Sequence, residues 1–191
     1  RHDEFRHIPG LFGRIRDFVL SLQPDERRVI TLNAVVMTKN FRDLTSLASL
    51  ARAWGVSMNF SPYTWLRTGD RSFVLKGEDL LHFEEIVGEL VAFKRQYDTV
   101  RTSDAFLHDM VRFFREETRP GCRAGERFLV VNPDATLSPC GLVMTAYESR
   151  AELLEGFSER NGCSGCNTCI RASTEHPFNN LVAGGLKSVR A

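Results

Sequence analysis

The sequence predicts an α/β protein with a parallel sheet, because segments rich in β-branched residues alternate with amphipathic segments of helical period. Two strand candidates, 28–37 and 56–61, are each separated from the next strand candidate by an apolar stripe at helical spacing. A shorter candidate, 99–102, precedes the last predicted helix. Parallel strands need crossovers of this length, and such crossovers are right-handed. The pattern fits a doubly wound sheet and a barrel equally well.

The predicted elements follow one another in a regular order. Strand 28–37 is apolar on both faces, as expected of a buried parallel strand. Asn40 is a candidate N-cap for the helix that follows, and Gly55 is well suited to end that helix. The other predicted elements are helix 11–22, strand 56–61, loop 62–77, helix 78–97, strand 99–102 and helix 104–117.

Two polar residues in the predicted strands are candidates for contact with a ligand. Asn33 lies within an apolar strand, and Ser61 ends the next strand. A buried amide needs hydrogen-bond partners, which neighbouring backbone can also supply. Parallel sheets bind their ligands at the carboxyl ends of the strands. Asn33 is therefore expected either to satisfy nearby backbone or to contact a ligand.

Composition excludes several classes of partner. The formal charge is +1, from 25 basic and 24 acidic residues, so nothing favours nucleic acid or an anionic membrane. No apolar run approaches the roughly 20 residues that cross a bilayer, and no apolar signal peptide is present. The prediction is a soluble cytoplasmic protein. Its first residue is Arg1 rather than Met, which suggests a fragment or a processed chain.

All five cysteines fall in the last 70 residues, and their spacing suggests a metal centre. The order is C-x17-C followed, after 22 residues, by C-x2-C-x2-C. An odd number excludes complete disulfide pairing, and C-x2-C places two sulfurs on one tight turn. The candidates are a structural zinc or an iron–sulfur cluster, with unligated buried thiols as the third possibility. The candidate ligands are Cys122, Cys140, Cys163, Cys166 and Cys169.

A break at Arg119-Pro120-Gly121 separates the α/β segment, 1–118, from the cysteine-rich segment, 119–191. Two short strands, 126–131 and 136–139, are predicted to form a hairpin through the turn formers between them. Such a hairpin brings Cys122 and Cys140 to the same end. Later in the segment, Ser149 begins a capping box and a short helix.

Short motifs follow one another in a fixed order through the cysteine-rich segment. They are Cys122-Arg-Ala-Gly125, Phe128-Leu-Val-Val131, Asn132-Pro-Asp134, Leu137-Ser-Pro-Cys140 and Cys163-x2-Cys166. This order resembles the SPASM or twitch extension of radical S-adenosylmethionine (SAM) enzymes, whose pattern is C-x-A-G, strand, P-D-G, strand, P-C and C-x-x-C.

The α/β segment also resembles part of that family, with less specific motifs. The matching stretches are 5–12, 31–36 followed by Asn40, and 60–63. The resemblance implies the later half of a partial parallel (βα)6 TIM-like barrel, followed by a small cysteine-rich β-hairpin and helix extension. In the complete enzyme, Asn33 and Ser61 would lie where the SAM ribose or the substrate is bound.

The resemblance implies a fragment of a radical SAM oxidoreductase or maturase that carries an auxiliary 4Fe–4S cluster. By position the cluster ligands would be Cys122, Cys140, Cys163 and Cys166. Cys169 would replace one of them or stay free. The cluster would accept the electron left on a substrate radical, or would anchor a small-molecule or peptide substrate.

Three departures from the family pattern limit what these residues do. The C-x3-C-x2-C motif of the SAM-cleaving cluster is absent, so a missing N-terminal barrel segment is expected and the chain alone would be inactive. Ala135 replaces the usual glycine of P-D-G, and five cysteines suit one cluster plus a spare. No catalytic residue is assigned. The alternatives are a zinc-binding structural module on an α/β domain and an inert peptide-binding scaffold.

Overall fold

A two-stranded parallel sheet forms the centre of the N-terminal part of the chain in a computed structural model, which describes residues 2–168 and Arg171. The strands are β1 (Thr31–Val36) and β2 (Ser57–Pro62), paired along their whole length. The predicted strand at 99–102 is reduced to one parallel bridge between Val100 and Met58. Mixed helix and parallel sheet confirm the α/β class. The paired strands and the bridge do not by themselves form a barrel.

Six helices of the described chain precede the cysteine-rich segment, and four of them lie within three residues of the predicted bounds. The exceptions are the first helix and a short helix that begins at Pro24, whose fixed φ suits a first helical turn. No helix in the described ranges is long and apolar enough to cross a membrane. The helices are α1 (His2–Arg6), α2 (Leu11–Ser21), α3 (Pro24–Arg28), α4 (Leu44–Trp54), α5 (Gly77–Gln96) and α6 (Asp104–Glu116).

The turn after β1 is closed by the side chain of Asn40. Its Oδ1 accepts a 3.0 Å hydrogen bond from the Met37 N–H, and its Nδ2 donates to the Val35 carbonyl at 2.9 Å. The prediction that Asn40 caps the next helix is therefore wrong, because both groups of its amide are used by backbone before it. A 3-10 turn (Phe41–Asp43) leads into α4 instead.

One face of the sheet packs against helices α4, α5 and α6. Met58 and Phe60 of β2 join the same core as Phe83 and Phe114. On the other face Asn33 is exposed and Ser61 is partly exposed. The prediction that β1 is buried on both faces is wrong, because alternate residues of a strand point to opposite faces and only one face is covered.

The cysteine-rich segment contains the predicted hairpin, shorter than expected. Strands β3 (Val130–Val131) and β4 (Leu137–Ser138) pair antiparallel. The Ser149 half of the predicted capping box is confirmed, because its hydroxyl accepts a hydrogen bond from the Glu152 N–H at 3.2 Å. The Glu152 carboxylate accepts its hydrogen bond from the Glu148 N–H instead of the Ser149 N–H. That cap begins α7 (Arg150–Gly156), which a 3-10 turn (Ser158–Arg160) follows.

Candidate metal centre

Three of the predicted cysteine ligands come together although two segments supply them. The thiols of Cys122 and Cys163 share a hydrogen bond, which lowers the pKa of Cys122 to about 6 and raises the pKa of Cys163. Burial raises the pKa of Cys166, and the charge of Cys122 acts on it in the same direction. Interaction among all three sulfurs gathers soft donors at one place, with the thiolate favoured at Cys122.

Asn161 joins the two segments that carry these sulfurs. Its Nδ2 donates a 2.8 Å hydrogen bond to the Cys122 carbonyl, and its Oδ1 accepts one of 2.9 Å from the Cys163 N–H. Both groups of the amide are thus used to hold Cys122 beside Cys163. Sequence reasoning missed this residue, although an Asn two positions before a turn cysteine is a common local cap.

A buried arginine lies beside Cys166. The Arg171 side chain is 0% exposed, and its Nη1 donates to the Cys166 carbonyl at 2.8 Å and lies 3.9 Å from the Cys166 Sγ. Its Nη2 donates to the carbonyls of Arg119 and Pro120. The guanidinium therefore places positive charge next to thiols and ties them to the segment before Cys122. No sequence pattern pointed to Arg171.

Asn167 lies between Cys166 and Arg119 and has a partly satisfied amide. Its side chain is 1% exposed, and its Oδ1 accepts a 2.7 Å hydrogen bond from Arg119 Nη1. Asp109 holds the same guanidinium nitrogen at 3.0 Å. The Asn167 Nδ2 is buried and has no hydrogen-bond acceptor among the described residues. Burying an amide donor without an acceptor costs about 1–3 kcal/mol.

Within the described residues, Cys140 is not one of the three cysteines that interact. Cys140 follows β4, is partly exposed, and its Sγ accepts a 3.3 Å hydrogen bond from the Val143 N–H. Cys169 lies outside the described residues. Across residues 2–168 and Arg171, no set of three or more His, Cys, Asp or Glu side chains is arranged to hold a metal ion.

The chemistry of the residues around Cys166 nevertheless fits a thiolate-bound centre. Sulfur donors suit zinc and iron–sulfur clusters alike. An anionic centre also matches the buried guanidinium of Arg171 and the amide donor of Asn167, which has no acceptor among the described residues. The sulfur donors, the positive charge and the unpaired hydrogen-bond donor thus all favour an anionic centre at this place. The described sulfurs alone do not supply a complete set of ligands.

The cysteine turn lies against the loop that follows β2. The Thr64 hydroxyl donates a 2.8 Å hydrogen bond to the Gly165 carbonyl. Leu66 packs so close that a Cβ at Gly165 would lie 2.7 Å from its Cδ2. The Arg119 N–H also donates to the Ser164 carbonyl at 2.7 Å. The cysteines are therefore located at the carboxyl end of a parallel strand, where α/β proteins bind ligands.

Asn33 and Ser61 meet on the uncovered face of the same sheet. The Asn33 Nδ2 donates a 3.2 Å hydrogen bond to the Ser61 Oγ. The partner of Asn33 is thus a side chain of the neighbouring strand, and not the backbone that the sequence also allowed. The pair presents an amide and a hydroxyl to the exposed side of the sheet. Whether it binds a cofactor is a prediction that this geometry does not test.

Comparison with known proteins provides no relative: no family model, no curated protein and no solved structure matches the chain. Function is therefore inferred from the residues and motifs themselves.

Proposed function

We propose that the chain is part of a radical SAM oxidoreductase or maturase, and that its segment 119–191 holds an auxiliary 4Fe–4S cluster. The observation that carries the proposal is that Asn161 holds Cys122 beside Cys163 across about 40 residues of chain, with Cys166 close enough to affect both thiols. The ordered motifs around these cysteines support the family, and the βα repeats before them support a partial barrel.

In this proposal Cys122, Cys163 and Cys166 are three of four cluster ligands. The fourth is Cys140 or Cys169. Cys140 is the stronger candidate within the described residues, because the N–H of Val143 already directs a hydrogen bond at its sulfur.

The chain's own side chains perform three tasks at the site. Arg171 offsets the negative charge of the thiolates, and Asn161 holds Cys122 beside Cys163. Leu66 packs against Gly165 of the cysteine turn. When bound, an auxiliary cluster of this type supplies a one-electron acceptor within reach of a substrate radical.

The sheet contributes the second part of the proposal. In the complete enzyme, Asn33 and Ser61 would hydrogen-bond the SAM ribose or a small-molecule or peptide substrate. Their support is the shared hydrogen bond of 3.2 Å on the uncovered face of β1 and β2. The step that cleaves SAM is assigned to no residue of this chain, because the C-x3-C-x2-C motif is not among its 191 residues.

Anaerobic reconstitution with iron and sulfide tests the cluster directly. The full chain should turn brown, absorb near ~400 nm and retain about four irons and four sulfides. The variants Cys122→Ser, Cys163→Ser and Cys166→Ser should each lose most of the bound iron. Of Cys140→Ser and Cys169→Ser, the one that removes the fourth ligand should behave like them, and the other should bind iron as the unaltered chain does.

Two results would overturn the proposal. A colourless protein with about one equivalent of zinc, lost in the same three variants, would establish the zinc-binding structural module instead. A chain that binds neither zinc nor iron would leave the inert peptide-binding scaffold. Retention of the full iron content by all three variants would show that iron is bound elsewhere.

A further inference from the structure

The hydrogen-bond partner of Asn167 shows which end of its amide is the oxygen and which is the unsatisfied nitrogen. A guanidinium has only donors, so the group of Asn167 that faces Arg119 Nη1 at 2.7 Å must be the amide oxygen. The other end of the amide is therefore the NH2 group. It is buried, it has no acceptor among the described residues, and the side chain is 1% exposed, so bulk water does not reach it.

This donor belongs to the residue that follows one of the three interacting cysteines. Asn167 directly follows Cys166, which is 5% exposed and interacts with both Cys122 and Cys163. Sulfur in this protein does accept N–H hydrogen bonds, as Cys140 does from the Val143 N–H. A buried donor costs about 1–3 kcal/mol if it stays unpaired, so an acceptor is expected at the Asn167 Nδ2.

We propose that Asn167 Nδ2 donates a hydrogen bond to a sulfur of the auxiliary cluster and so raises its reduction potential. The inference rests on the proposed function, because it needs a cluster at these cysteines. Reduction adds negative charge to the cluster, and a fixed N–H donor stabilises the more negative state. Asn167 thus adjusts the reduction potential of the cluster without being one of its ligands. Arg119 fixes the orientation of its amide, and Arg171 adds a positive charge 3.9 Å from the Cys166 sulfur.

The test uses the full chain reconstituted anaerobically and a potentiometric titration followed by electron paramagnetic resonance of the reduced cluster. Asn167→Leu removes the donor without adding charge. It should lower the equilibrium constant for reduction about tenfold, a fall of about 59 mV for one electron. Asn167→Asp keeps an oxygen for Arg119 and also removes the donor. The cluster should therefore assemble in this variant, and its reduction potential should fall at least as far as in Asn167→Leu.

Two controls separate a direct hydrogen bond from indirect effects. Asn132→Asp adds the same charge within the hairpin, at an amide that already donates to Thr136 and Ser138. It should change the equilibrium constant for reduction of the cluster less than twofold. Arg112→Lys alters the neighbouring pair with Asp109 without touching Asn167 or Arg119, and should also leave the potential close to that of the unaltered chain.

The outcomes distinguish this inference from the function beneath it. Iron and sulfide content are measured first: an unaltered chain without a cluster rejects both proposals. If the cluster assembles but its reduction potential is unchanged in Asn167→Leu and Asn167→Asp, only the hydrogen bond is rejected. An equal fall of the potential in Arg112→Lys would also reject it, because the effect would then not come from the Asn167 donor.

Discussion

The hydroxyl of Thr64 donates a 2.8 Å hydrogen bond to the carbonyl of Gly165, 101 residues further along the chain. Thr64 follows the last residues of β2, and Gly165 lies between Cys163 and Cys166. This single contact joins the carboxyl end of the parallel sheet to the cysteine turn. A cluster bound at the turn would thereby face the same edge of the sheet at which parallel α/β proteins bind substrates.

Thr64→Val tests how strongly this contact holds the turn. Valine keeps the shape of threonine and loses the hydroxyl, so the partly buried Gly165 carbonyl is left without this donor. We expect the free energy of unfolding to fall by about 1–3 kcal/mol. Urea unfolding followed by tryptophan fluorescence measures it, since Trp65 is adjacent.

The matched control for Thr64→Val is Thr45→Val. The Thr45 hydroxyl contacts the Glu89 carboxylate at 3.0 Å on the exposed surface of α4. Exposed substitutions of this kind change stability by less than about 0.5 kcal/mol. Equal losses in the two variants would mean that the Thr64 contact adds nothing beyond the general cost of losing a threonine hydroxyl.

Gly125→Ala should be among the most damaging small changes in the cysteine-rich segment. A Cβ at Gly125 would lie 2.1 Å from the Ser158 Oγ and 2.3 Å from the Leu153 Cδ2, and the backbone there has φ +83°. Overpacking costs about 1–3 kcal/mol and the left-handed conformation about 1 kcal/mol more. We expect a loss of about 2–4 kcal/mol in chemical denaturation.

Gly121→Ala isolates the packing component of that loss. Gly121 has nearly the same backbone conformation, with φ +79°, but a Cβ there would meet nothing within 4 Å. It should cost only the backbone component of about 1 kcal/mol. If the two alanine variants are equally stable, the close contact of Gly125 with Leu153 and Ser158 is not a constraint on the fold.

The elements that the sequence predicted well are those determined by local chemistry. Apolar residues at helical spacing predicted α6, and the turn formers from Asn132 to Asp134 predicted the hairpin. The C-x2-C spacing likewise predicted that Cys163 and Cys166 lie together. Each of these signals is carried by residues close in sequence, so no knowledge of the tertiary packing was needed.

The residues that were missed owe their roles to segments distant in sequence. Arg171 contacts carbonyls about 50 residues earlier, and the acceptor role of the Asn167 oxygen depends on where Arg119 lies. The mistaken burial of Asn33 has a similar origin, because composition does not tell which face of a strand a helix will cover. Such arrangements follow from packing and not from local pattern.

Ala135→Gly should stabilise the hairpin between β3 and β4. Ala135 stands where the pattern that the sequence resembles has glycine, and its φ of 69° lies in the left-handed region that favours glycine. Its N–H donates to the Asn132 carbonyl at 2.9 Å, so the turn holds the residue in that conformation. Glycine removes the strain of the Cβ, and we expect a gain of about 0.5–1 kcal/mol in thermal or urea unfolding.

The same substitution at Ala92 provides a control of opposite sign. Ala92 is exposed in the interior of α5, where φ is negative and glycine loses helix propensity. Ala92→Gly should therefore cost about 1 kcal/mol. A loss at both positions would show that Ala135 is not strained in the folded protein.

Arg171→Lys should separate the charge of the buried arginine from its hydrogen bonds. Lysine keeps the positive charge beside Cys166, but one ammonium group does not span the carbonyls of Arg119, Pro120 and Cys166 as the planar guanidinium does. At least one buried carbonyl is left unpaired, and we expect the free energy of unfolding to fall by about 2–4 kcal/mol.

Arg42→Lys is the control, since the Arg42–Asp79 pair is exposed and its loss should change stability by less than about 0.5 kcal/mol. Urea unfolding of the metal-free chain measures both. Comparable stability of Arg171→Lys and the unaltered chain would mean that the buried side chain acts through its charge alone, and the cysteine turn would then be held chiefly by Asn161 and Thr64.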